Sequence, residues 1–178
     1  MKWILQYNGE MPPLYKALLA SLLFAVFGIT GWIFGKHQQL PLILYYSVLV
    51  LNTFFSVRVF AAITPLNALQ MLFDMVLVPV YVVLAFSFDS VFLFSIVSAG
   101  LFLIAVLKYV HLKSIVEIER QLLTRKITLN ALGALLSGVA FGIALIGAEE
   151  LAAWGLCIVF VIANVYLLAM NPMYRTEK

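Results

Sequence analysis

The sequence predicts an all-α, polytopic helical membrane protein with six transmembrane helices and both termini in the cytoplasm. Three observations carry that prediction. Of 178 residues, 65% are hydrophobic and only 11% charged, where a soluble domain has roughly 25% charged residues. A soluble chain this short leaves too much of its surface wet to hide so much apolar side chain. The apolar residues fall into six runs, each near the roughly 20 residues that cross a bilayer as a helix. Ten of the eleven Lys and Arg residues gather at one set of helix ends, the asymmetry that marks a cytoplasmic side. Together these exclude an ordinary soluble enzyme, a disulfide scaffold and a disordered regulator.

The spans are expected at 15–34, 40–63, 66–86, 91–110, 127–146 and 151–170, within one domain covering 1–178. The N-terminal stretch is too polar and interrupted for a signal peptide. Its Trp3, Tyr7 and Tyr15, beside Lys2 and Lys16, suit a segment lying at the membrane interface. The polar turn from Lys36 through His37 ends at Pro41, a residue suited to the first helical turn. Thr64-Pro65 predicts a tight hairpin, since the residue before proline leaves the helical region. Ser87 to Ser90 and Gly147 to Glu150 read as short turns with caps or carboxylates at the next helix start. Asn171-Pro172 ends the last span.

With the termini inside, Lys2, Lys16, Arg58, Lys108, Lys113, Arg120, Arg125, Lys126, Arg175 and Lys178 share one side. Lys36 alone lies opposite, with Asp89, Glu149 and Glu150. No proline interrupts Val91 to Lys126. One helix over that stretch would be about 54 Å long at roughly 1.5 Å per residue, beyond a hydrocarbon core of about 30 Å. Residues 111–126 are therefore expected as a cytoplasmic extension or a helix bent into the interface. Leu112, Ile115, Val116, Leu122 and Leu123 would mark its apolar side, a lipid-touching connector or a docking surface for a partner.

Polar residues inside the spans mark function by default, because charge in hydrocarbon is expensive. Asp74 is foremost. Asn67, Gln70 and Asp74 follow an i, i+3, i+7 spacing and form a stripe on one helix face, with Pro79 beyond them able to loosen the helix. Counting outward from the hairpin at Thr64 places Arg58 and Gln70 at similar depth, so an Arg58–Gln70–Asp74 cluster is expected between the second and third spans. Asn52 would lie deeper, and Lys108 is a competing partner for Asp74. Such a cluster is either a structural ion pair or a site for an ion, proton or small solute.

Small residues supply a second pattern. Ala17, Ser21, Ala25, Gly28, Gly31 and Gly35 recur along the first span, and Ala134, Gly138 and Gly142 along the fifth. Stripes of this kind let helix backbones approach closely, within the chain or against a neighbour. In size, span count and this first-helix pattern, the chain is similar to the substrate-binding subunits of energy-coupling-factor vitamin transporters. That resemblance implies solute binding and docking through the first helix.

Other chemistries lack their residues. Cys157 is the single cysteine, so no intrachain disulfide can form. His37 and His111 are expected on opposite sides of the membrane, so they cannot share a metal. No HExxH, GxSxG or P-loop pattern occurs, and no metal or cofactor is expected. The dispersed basic residues do not build the clustered face that nucleic acid requires. The expected partners are the bilayer of a plasma or inner membrane and second copies or other membrane subunits. The reading is transport of an ion or small solute past the polar cluster. Its rival is a non-catalytic subunit of a larger membrane complex.

Overall fold

The computed structural model describes residues 11–36 and 38–170, with backbone alone for 169 and 170. The interface segment with Trp3 and Tyr7, the turn residue His37, and the Asn171-Pro172 stop lie outside the described residues. Six helices follow in chain order: α1 (Pro13–Phe34), α2 (Leu40–Phe60), α3 (Ala68–Ala85), α4 (Val91–Ile115), α5 (Arg120–Leu145) and α6 (Glu149–Val165). A π-helical turn, Tyr166–Met170, continues α6. All six, α6 taken together with its π-helical continuation to Leu168, are long and apolar enough to cross a membrane.

Local chemistry sets most helix ends. Pro12 and Pro13 open α1, where a missing N–H costs nothing. The Asn67 side chain accepts from Leu69 N at 2.8 Å and the Ser90 side chain from Leu93 N at 3.2 Å, capping α3 and α4. Gly147, at φ 85°, takes the left-handed conformation that closes α5, and Ala148 N returns to Ile143 O at 3.2 Å.

Three boundaries differ from expectation. The α2–α3 connection is seven residues, 61–67, and not a tight hairpin at Thr64-Pro65; α2 stops at Phe60 and Asn67 serves as a cap. The stretch 111–126 is not a separate extension. It divides at 116–119, where Val116 is extended and Glu119 turns left-handed at φ 57°. The apolar side foreseen for it explains the break. Leu112, Val116 and Leu123 bury together against Phe60 and Tyr109, which a straight helix reaching past the bundle could not achieve. As a result Lys126 belongs to the bundle. Finally, helical geometry changes at Tyr166, before the predicted end at 170.

The helices form a ring whose order differs from chain order. α1 packs on α2 and α3, α3 on α4, α4 on α5, α5 on α6, and α6 back on α2. α2 and α3, although consecutive, share no extended packing. We call the end carrying the α2–α3 and α4–α5 turns the lower face, and the opposite end the upper face. The upper half is filled by aromatic rings: Tyr45 packs edge-on to Phe94 at 5.3 Å and stacks on Phe160 at 4.2 Å, while Tyr46 meets Phe88 at 5.5 Å. Their hydroxyls are satisfied, as buried polar groups must be. Tyr45 Oη shares a hydrogen bond with Ser98 Oγ at 2.7 Å, and Tyr46 Oη donates to Phe24 O at 3.0 Å.

The first-span glycines serve this packing. A Cβ added to Gly31 would stand 2.0 Å from Ala85 O, and one on Gly28 would stand 2.6 Å from the Tyr46 ring. α1 therefore crosses α2 and α3 at contact distance through its own small residues. Ala17 is fully buried on the same helix, and Ser21, Ala25 and Gly35 are half-buried. On α5 the pattern splits. Ala134 is buried, whereas Gly138 and Gly142 are exposed with nothing within 4 Å of an added Cβ.

Candidate functional site

Where α2 and α3 part, the lower half of the ring encloses a cavity of about 390 Å³. Five of the six polar residues singled out from the sequence line it: Asn52, Asn67, Gln70, Asp74 and Lys108. Arg58 does not. It is exposed on α2, and the expected Arg58–Asp74 pair is replaced by one between Asp74 and Lys108. The cause is lateral, since α3 packs along α1 and α4 and meets α2 only higher up, where Tyr81 contacts Tyr46 and shares a hydrogen bond with Thr53 Oγ1. Equal depth on consecutive helices therefore brought no contact.

The Lys108 ammonium donates to Asp74 Oδ1, with the lysine side chain 16% exposed and the aspartate 59% exposed. Gln70, fully inside, donates through Nε2 to the Lys108 carbonyl at 3.2 Å. One residue of α4 thus engages two of α3, and both belong to the predicted stripe. The stripe's third member, Asn67, caps the helix while still facing the cavity.

The opposite wall holds residues that sequence reasoning missed. Lys126 is only 7% exposed. Its Nζ donates to Asn52 Oδ1 at 3.4 Å and lies 5.8 Å from the Tyr109 ring centroid, a cation–π arrangement. Lys108 Nζ lies 6.0 Å from the same ring. The Tyr109 hydroxyl shares a hydrogen bond with Ser56 Oγ at 2.8 Å. Asn130, one turn above Lys126, is buried in the lining as well. A signal for these residues was present: Lys126, Asn130, Ala134 and Ser137 follow one helical stripe, and all four are buried.

Polarity falls from the lower face upward along α1, α3 and α4, whereas on α2 Phe60 and Val57 come first and Thr53 and Asn52 lie above them. On α1, Lys16 comes first from the lower face, then Ala20 and Phe24. On α3, Gln70 and Asp74 precede Leu77, Val78 and Tyr81. On α4, Lys108 precedes Ala105 and Phe102. The upper end is closed by Phe24 stacked on Tyr81 at 4.0 Å and 9°, with Tyr46 edge-on behind at 6.3 Å. Two buried amide atoms of the lining, Gln70 Oε1 and Asn130 Nδ2, have no hydrogen-bond partner among the described residues. Leaving such a group unsatisfied costs about 1–3 kcal/mol, so water or a solute in the cavity would relieve both.

Comparison with known protein families, characterised proteins and solved structures returns no match. The resemblance to vitamin-transporter subunits gains no support there, and Gly28 and Gly31, two of the α1 residues that carried it, pack within the chain.

Proposed function

We propose that this protein is a multi-pass carrier for an ion or small solute, with the cavity of the lower half as its binding site. The observation that supports this reading is the cavity itself, polar towards the lower face on α1, α3 and α4 and closed above by the Phe24–Tyr81 stack. Ligand sites are concave and mostly apolar, with a few convergent polar groups, and buried ionisable residues in spans mark solute pathways. With the basic residues placed in the cytoplasm of a plasma or inner membrane, the site faces inward. Passage to the other side then requires movement. Pro79, between Asp74 and Tyr81 in α3, lacks the N–H that would bind the carbonyl one turn below and supplies a place for it.

The test is accessibility from each side. In inverted vesicles a membrane-impermeant maleimide should modify Asn52→Cys and Asn130→Cys while leaving Ser98→Cys intact, the native Cys157 having been replaced by Ser. In right-side-out vesicles Asn52→Cys and Asn130→Cys should react far more slowly, only as the site turns outward, and Ser98→Cys should not react. Modification of Ser98→Cys at the same rate as Asn52→Cys would end the one-sided reading.

The second reading, a subunit of a larger membrane complex, is favoured by the exposed Gly138 and Gly142 on α5. Oxidative cross-linking of Gly138→Cys in native membranes tests it. A discrete dimer or a fixed adduct supports a partner on that face, and monomer throughout removes a second copy of the chain there.

A further inference from the structure

The polar groups that the cavity leaves unpartnered narrow its occupant to one chemical class. Its charged groups already have partners. Lys108 holds Asp74, Lys126 donates to Asn52 and lies over the Tyr109 ring, and Lys16 at the mouth is engaged as well. A charged solute would have to displace one of these partners, and a buried ammonium stripped of its partner is expensive. Two uncharged atoms stand apart from this set. Gln70 Oε1 and Asn130 Nδ2 belong to lining residues only 2% and 5% exposed, and neither has a hydrogen-bond partner among the described residues. The first is an acceptor and the second a donor. Resting on the reading of this cavity as a solute site, we infer that it takes a small neutral amide, a carboxamide or lactam, carried on an aryl or short alkyl body.

Position selects the amide among neutral groups. Gln70 donates Nε2 to the Lys108 carbonyl at 3.2 Å, so its nitrogen end is fixed on α4 and its oxygen is the end left over. Asn130 stands on α5, and α4 separates that helix from α3. The missing donor and the missing acceptor are therefore needed on different walls. An amide carries its N–H and its C=O on separate atoms, one for each wall. An ester lacks the donor, and a hydroxyl must serve both walls from one oxygen. Water could satisfy the two atoms alone, yet the walls above them are Leu77, Val78, Phe102 and the Phe24–Tyr81 stack, where it finds nothing to bond. An apolar body attached to the amide fills that end and gains from its burial.

The full chain in phosphatidylcholine nanodiscs, with empty nanodiscs as the blank, is titrated calorimetrically with four probes sharing one body: 4-phenylbutanamide, methyl 4-phenylbutanoate, 4-phenylbutanoate and 4-phenylbutylamine. The amide should bind at least about tenfold more tightly than each of the others, the factor that one unmade buried hydrogen bond costs. Gln70→Met removes the acceptor and should bring the amide within about threefold of the ester, whose own binding stays unchanged. Asn130→Leu removes the donor and should weaken amide and ester alike, by at least about fivefold. Ala105→Trp, which fills the apolar part, should abolish binding. If Gln70→Met does not fold, the amide-to-ester ratio in the parent and the loss in Asn130→Leu carry the test. Ester, acid or amine binding as tight as the amide, lost in Ala105→Trp, overturns the amide class and leaves the solute site standing. Amide binding unaffected by Gln70→Met and Asn130→Leu places the head elsewhere and overturns the inference. If no probe binds, the inference falls; one-sided labelling of Asn52→Cys would then still support the cavity as a site, and its absence would remove both.

Discussion

The upper and lower halves of this bundle are built from the same six helices, yet the interior of one is filled with aromatic rings and the other holds a polar cavity. Above, glycines let α1 sit directly on α2 and α3, and aromatic rings fill the remaining space. Below, the lining carries lysines, amides and an aspartate, and α2 and α3 stand apart. Residue size at the crossing points decides which outcome prevails. Where a backbone oxygen lies 2.0 Å from an added Cβ, helices converge. Where long polar side chains face inward, they need room and partners, and convergence would bury them unsatisfied.

The sharpest way to break this contrast is to remove a ring from the upper half. Phe94→Ala, at a fully buried site, should cost about 3–5 kcal/mol. Val78→Ala, in the wall of an existing cavity, should cost less than about 1 kcal/mol, below the typical cost of a large-to-small change in a packed core. Thermal unfolding in a mild detergent compares the two, and equal losses would mean the halves are packed alike.

A smaller effect tests the crossing itself. Gly31→Ala forces a methyl into Ala85 O and should destabilise by about 2–3 kcal/mol, towards the upper range for overpacking. Gly138→Ala meets nothing and should be neutral or stabilising by up to about 1 kcal/mol, the helix-propensity gain over glycine. The same melting curves read both, and a matching loss at Gly138 would point to a neighbour on that face.

In the lower half, the Asp74–Lys108 pair should show a coupling of about 1 kcal/mol in a double-mutant cycle of Asp74→Asn and Lys108→Gln. That modest size follows from the exposure of the carboxylate. Strict additivity would show that the pair contributes nothing to folding.

The smallest change is expected at Arg58. It is exposed and outside the cavity, so Arg58→Ala should stay within about 0.5 kcal/mol of the parent, as for most surface substitutions. A loss as large as that of Asp74→Asn would restore the pairing inferred from chain order.

The helices and their polar cargo were legible because both depend on residues close in sequence. Six apolar runs, Pro41 at a helix start, the Ser90 cap and the spacing of Gln70 and Asp74 needed no knowledge of the fold. Lys126 was misplaced because the fifth span was expected to begin at 127. Its phase with Asn130 and Ala134 was visible, but nothing local placed that face inward.

By itself the sequence determined which segments are apolar helices, because length and hydropathy act along the chain. It also determined which polar residues those helices carry. The tertiary structure decided who meets whom. A short connection between α2 and α3 predicts adjacency, but helix neighbours are chosen by the fit of side-chain surfaces. Gly31 against Ala85 draws α3 to α1, and Asp74 and Gln70 find Lys108 on α4. The space left between α2 and α3 became the cavity. That contest among surfaces distant in sequence has no signature in any single stretch of it.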